Sequence, residues 1–341
     1  METRRRTDID IAKGIGIILV VWAHACGPGN FYITQFHMPF FFFVSGLLYS
    51  SEDASGIGYI ARKGKALLLP FWWWNGLFLP LYFVLFYWGN WSIGVFVKEA
   101  AEILFTLEKV PFLGATWFLP ALFQVSVIVH LMIRGLRKNR AGDMILLGAS
   151  AAVCVLGFSV TFPHRISRTL ICSFFYVCGY LYKKYFRDHI AGHIKDIGAP
   201  ICGILYIIIA SYNEVSLGGN EYRYKWAFIG GVFAATFFLL RLSEWLSNME
   251  KICWFSDHLA YIGKNSMCIV IWHLLLFRVP IILQILVMRA DLKAITAFPV
   301  YDASGLWWAV YIAAGIYLSL GWQYILQHNP LSPIMRKMHM I

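Results

Sequence analysis

Asp10-Ile-Ala-Lys13-Gly14, then an apolar run to His24, then Phe36-His37-Met38-Pro39-Phe-Phe-Phe-Phe-Val-Ser45-Gly46 is the stretch that decides how this chain reads. Its ionisable residues sit among side chains apolar enough to cross a bilayer. Burying a charge there costs at least a few kcal/mol, so such residues are functional candidates by default. Lys13 and His24 are 11 residues apart, three helical turns, which sets them on one face about 16 Å from each other. Asp10, three residues before Lys13, shares that face. His37 opens the next apolar run after a short Pro/Gly turn.

The rest of the composition agrees with a lipid solvent. The chain is 59% hydrophobic, 17% aromatic and 14% charged, with mean hydropathy +0.63, against roughly 25% charged residues in soluble domains. Ten apolar segments are expected to be helical spans, at 13–29, 37–51, 67–88, 117–133, 144–162, 168–182, 198–213, 226–241, 266–288 and 306–326. The fold expected is therefore all-α and polytopic, one membrane domain over residues 1–341. The net charge of +11 does not point to nucleic acid, because the basic residues cluster in short loops beside the spans. With the N-terminus inside, inner segments hold 20 Lys/Arg and outer segments 8, so both termini are expected in the cytoplasm. The seven cysteines lack metal-type spacing and read as free, buried thiols.

Two local patterns need separate treatment. In residues 92–116, Val97, Ala101, Leu104 and Phe105 share a helical face, which reads as an interfacial or re-entrant helix on the outer side, or equally as a plain amphipathic surface helix. Arg4–Arg6 followed by an apolar run imitates a cleaved signal, but nine further spans follow, and an uncleaved first helix is expected.

Three groups carry candidate chemistry. His24 and His37 can act as general bases, nucleophiles or metal ligands, because imidazole titrates near neutrality. The plainer alternatives are a histidine hydrogen-bonded between helices and an interfacial one. Adding His273 gives three nitrogens, yet no His-x-x-x-His or carboxylate pairing supports a metal, and none is expected. Arg62 and Lys65, before Leu67-Leu-Leu-Pro70, suit phosphate binding, or simple anchoring at the inner face. Asn265 and Ser266 are placed to N-cap the ninth span, and Ser266 shares a face with His273. Trp72–Trp74 and Trp307-Trp308 read as interfacial belts.

Taken together, these pieces resemble the acyltransferase 3 family of integral-membrane O-acyltransferases, in particular its fucose 4-O-acetylase-like branch. The elements stand in family order: Asp10-x-x-Lys13-Gly14, Lys13-x10-His24, Phe36-His37-Met38-Pro39 through Ser45-Gly46, the basic run before Leu67, Thr116-Trp117-Phe118-Leu119, and Gly263-Lys264-Asn265-Ser266 through His273. The resemblance implies an acyl-CoA donor, usually acetyl-CoA, and a hydroxyl on an extracytoplasmic or lipid-linked glycan as acceptor, in a bacterial plasma membrane. It implies a catalytic histidine at His24 with Lys13 as its basic partner, and donor-phosphate contacts near Arg62 and Lys65. Asp10 and Lys13 would order the inner mouth and His37 the acceptor side, with Ser45, Trp117, Asn265, Ser266 and His273 in support. Lys13 and Lys65 stand where the family commonly has Arg, which keeps the charge and loses a bidentate fork. No esterase-like domain follows the tenth span, so direct transfer or a separate protein is expected for any onward step.

Two other classes fit a polar-lined bundle: a transporter or flippase for a small solute or lipid-linked sugar, and a scaffold without chemistry. Against the transporter stands the absence of an inverted repeat in the sequence. The charge bias makes a first prediction. Reporter fusions after residues 140, 195 and 338 should report cytoplasm and one near 220 the outside, whereas an outside signal at 140 or 195 breaks the ten-span arrangement.

Overall fold

The structure, a computed structural model, describes residues 4–50, 56–86, 92–136, 141–162, 166–187, 192–217 and 219–341. Arg137, Lys138, Arg140 and Arg165, and the ends of the predicted segments 37–51 and 67–88, lie outside the described residues. So do the side chains of Arg4–Arg6 and Lys195.

The protein is helical throughout. Among the described residues its strands are one short hairpin, Val215–Ser216 against Glu221–Tyr222, antiparallel with Val215 opposite Tyr222. Among the described residues six stretches are long and apolar enough to cross a membrane: Gly56–Leu85, Ile93–Leu136, Gly142–Ser159, Lys225–Asn248, Ser266–Met288 and Trp307–His328. Helices also lie over the other four predicted segments: Arg4–His24 and Ile166–Tyr185, which carry charged ends, the 11-residue His37–Leu47, and Gly192–Tyr212. The chain gathers into two compact units, each built from separated segments: residues 1–23, 29–56 and 125–266 in the first, 24–28, 57–124 and 267–341 in the second.

In the first unit, helices meet through paired glycines. A Cβ on Gly14 would overlap the Leu259 carbonyl, and one on Gly263 would overlap the Asp10 carbonyl. Each glycine thus receives the other helix's backbone, and Ile11, Leu259 and Ala260 seal the crossing. The same reciprocity joins His37–Leu47 to Ile166–Tyr185: Gly46 faces the Tyr176 carbonyl and Gly179 the Phe43 carbonyl. Between lipid-solvated helices there is little hydrophobic drive, so close backbone approach through small residues supplies the attraction. Phe158, Phe175, Tyr222 and Phe228 fill the neighbouring space with edge-to-face and tilted ring contacts of 4.9–6.2 Å.

The second unit is organised by a buried amide. Asn75, 0% exposed, donates from Nδ2 to the Phe71 carbonyl (2.9 Å) and to Thr116 Oγ1 (3.2 Å), and its Oδ1 accepts from the Val110 amide (2.8 Å). Thr116 in turn donates to the Leu113 carbonyl (2.7 Å), so one asparagine pins the turns of Pro111–Trp117 to the helix Leu69–Phe86. Trp272 packs at 4.5 Å on Trp74 and at 5.8 Å on Phe78. The indole N–H groups of Trp73 and Trp74 donate to the carbonyls of Met338 (3.1 Å) and Met340 (3.0 Å), an anchoring task beyond the interfacial belt expected of them. Residues 92–116 form the helix Ile93–Ala101, a π turn Glu102–Thr106 and the turns to Trp117; of the predicted apolar face, Val97, Leu104 and Phe105 are exposed and Ala101 is half-buried.

The glycine crossings are directly testable. Gly263→Ala and Gly46→Ala should each lower stability by about 1–3 kcal/mol through overpacking. Gly148→Ala, where nothing lies within 4 Å, should be neutral or slightly stabilising. Thermal unfolding of the purified proteins reads the difference, and equal Tm values for Gly263→Ala and Gly148→Ala would refute the packing argument.

Candidate active site

The helix Arg4–His24 carries three of the expected residues: Asp10, Lys13 and, as its last residue, His24. It ends there because Cys26 turns left-handed at φ 53° and Pro28 follows. Lys13 Nζ and Asp10 Oδ1 form a half-buried ion pair at 2.7 Å. The spacing of three residues that set them on one face therefore produces a direct contact.

His24 belongs to the second unit, and there it meets His273. The two imidazole centroids are 5.3 Å apart with 36° between the planes. His24 is half-buried, while His273 is 0% exposed on the helix Ser266–Leu276. His273 Nδ1 lies 2.6 Å from the Ile269 carbonyl oxygen. A carbonyl accepts only, so Nδ1 carries the proton and Nε2 of the neutral ring is an acceptor. That Nε2 is buried without a hydrogen-bond partner. The sequence left His273 ambiguous, and its contact with His24 is what the geometry adds.

His37 lies in the first unit, buried at the start of His37–Leu47, with Nδ1 2.8 Å from the Ile33 carbonyl oxygen. Arg62 and Lys65 are exposed, but the chain changes from the helix Gly56–Lys63 to a π turn, Gly64–Leu68, between them. Three residues apart, the two would share a face of a regular helix; the π turn alters that register, and such insertions are frequent at functional positions. The Arg62 guanidinium sits 5.6 Å from the Tyr59 ring centroid, as does Lys63 Nζ.

The supporting residues divide. Ser45 Oγ donates back to the Phe41 carbonyl within its own helix (2.8 Å). Trp117 ends the turns that Asn75 holds. Asn265 caps the helix before it, its Nδ2 donating to the Tyr261 carbonyl (2.9 Å), and does not cap the ninth span as expected. With a single residue between the helices Cys253–Lys264 and Ser266–Leu276, the amide serves the orphan carbonyls of the first. Ser266 is the half-buried first residue of the second. The cysteines are all unpaired, but Cys26 and Cys253 are exposed instead of buried.

Two polar centres escaped the sequence reading. Asn75 is one, a lone amide inside Trp72–Pro80; Arg278, a basic residue within the predicted span 266–288, is the other. A solitary hydrogen-bonding side chain inside an apolar run is the signal that marks both.

No curated protein and no solved structure matches this chain. The family model described as an acyltransferase domain, acyltransferase 3, matches residues 6–326, nearly the full length. That match over nearly the whole chain makes the protein a member of the acyltransferase 3 family, a membrane acyltransferase.

Proposed function

We propose that this protein is an integral O-acyltransferase of a bacterial plasma membrane, with ten spans and both termini inside. It moves an acyl group, acetyl in the first instance, from cytoplasmic acyl-CoA to a hydroxyl of an extracytoplasmic or lipid-linked glycan. The observation that carries this reading is the His24–His273 pair at 5.3 Å within an acyltransferase chain. His24 takes the proton of the acceptor hydroxyl. The freed oxygen bonds to the thioester carbonyl carbon, the C–S bond breaks, and the CoA thiolate leaves and is protonated. His273, whose tautomer the Ile269 carbonyl sets, packs its ring beside that of His24 and limits where the imidazole can turn. The exposed Arg62 and Lys65 hold the phosphates of CoA, and the Lys13–Asp10 pair supplies the basic partner that the family resemblance implies.

The deciding experiment is acyl transfer or acyl-CoA hydrolysis by purified His24→Gln protein, with Tm and CoA affinity measured alongside. Loss of proton transfer should lower the rate by ~10²–10⁴ with donor affinity kept. A stable variant that turns over near the wild-type rate makes His24 a packing residue and ends this mechanism.

The donor face has its own test. Arg62→Ala with Lys65→Ala should weaken acyl-CoA binding, and added salt should reproduce part of the loss in the wild type, because exposed charges are screened within about 10 Å at 0.1 M. Unchanged CoA affinity in the folded double variant would assign the two residues to anchoring the loop.

A further inference from the structure

The helix Arg278–Met288 begins with a cation that the mechanism leaves unused. Arg278 is 8% exposed, inside the apolar stretch Ser266–Met288. Its guanidinium holds the segment that follows the helix: Nη1 donates to the carbonyls of Ile295 (2.7 Å) and Ala297 (2.6 Å), and Nη2 to that of Pro299 (3.1 Å). A guanidinium has five N–H donors. Three are engaged, which leaves one on Nη2 and the Nε–H, and Nε is buried without a partner. Nε and Nη2 share one edge of the planar group, an edge that takes a carboxylate or phosphate through two parallel bonds. Among the described residues no carboxylate balances this charge; its one electrostatic neighbour is the Tyr311 hydroxyl.

Holding the segment needs no charge. Gln284, six residues on and 0% exposed, does the same work with a neutral amide: Nε2 donates to the Asp302 carbonyl (2.7 Å) and Oε1 accepts from Tyr311 (2.5 Å). A full positive charge in an apolar span is costly, so its retention points to an anion that comes and goes. The location suits the acceptor. Phe298, between Ala297 and Pro299 whose carbonyls accept from the guanidinium, lies with Leu274 beside Gly114, where a Cβ would stand 3.1 Å from the Phe298 ring and 3.2 Å from Leu274 Cδ1. Leu274 is the next residue after His273.

We propose that Arg278 is the anion receptor of the acceptor site: its Nε/Nη2 edge binds a carboxylate or phosphate on the acceptor, which is therefore an acidic or phosphorylated sugar. The role of the acceptor rests on the acyltransferase reading, but the binding itself is measured without turnover.

The test is the Tm of the purified full-length protein with glucuronate, glucose 1-phosphate or neutral glucose at matched ionic strength. Wild type should gain a few degrees with at least one anion and nothing comparable with glucose, since a ligand that binds the folded state raises its stability. A response to glucuronate alone assigns a carboxylate, and to glucose 1-phosphate alone a phosphate. Arg278→Gln should abolish the gain, Arg278→Lys should retain a smaller one, and Gln284→Leu, which loosens the segment but leaves the guanidinium, should keep it. Equal shifts with glucose and the anions, or no shift with any, overturn the proposal. So does a gain that Arg278→Lys keeps in full, which decides the matter if Arg278→Gln does not fold. A gain lost in the Arg62→Ala, Lys65→Ala protein also overturns it, because the anion then sits at the donor face. Acyl-CoA hydrolysis by the wild type is scored separately: its absence counts against the acyltransferase reading and leaves the anion result standing.

Discussion

Backbone laid directly on backbone is the constraint on which the first unit depends. At Gly14–Gly263 and Gly46–Gly179 each helix offers a glycine to the other's carbonyl, so no side chain separates them. Dispersion falls off steeply with distance, and a gap of even half an ångström forfeits much of it. The Asp10–Lys13 ion pair rides on the first of these crossings, one residue from Gly14 and with the Asp10 carbonyl in the contact itself. The placement of that pair is therefore inherited from packing, and its chemistry and its scaffold cannot be varied independently.

The second unit follows a different rule. There the polar groups are few and each is placed by a hydrogen bond to backbone: Asn75 to Phe71 and Val110, His273 to Ile269, Gln284 to Asp302. In a medium without water every donor that finds a carbonyl becomes a fixed point. The histidine tautomer is one product of this arrangement, because a carbonyl at Nδ1 leaves Nε2 as the acceptor.

How much of this was legible in the sequence depends on the range of the interaction. Asp10 and Lys13 touch because three residues separate them, and helix periodicity suffices to see it. The helices themselves followed from hydropathy, which reports solvent and needs no partner. Among the described residues six stretches have the length and apolarity needed to span, against ten expected, because helices such as Arg4–His24 and His37–Leu47 are either charged at an end or short. The contact of His24 with His273 joins residues 249 apart in the sequence, and no local pattern encodes it. Asn265 misled because a residue between two abutting helices can serve either end, and only the fold shows which carbonyls are orphaned. The motif glycines were visible as residues, but their task was not, since a close approach needs both helices to be seen at once.

Cys26 gives the helix end a chemical vulnerability. Its thiol is exposed, bends back to within 3.9 Å of the His24 carbonyl oxygen, and stands two residues from the imidazole in a left-handed turn. An alkylating or oxidising agent that reaches it would place a bulky or charged adduct against the last turn of the helix that carries His24. A covalent label at this position therefore acts on the turn that positions the proposed base, without any reagent touching the base itself.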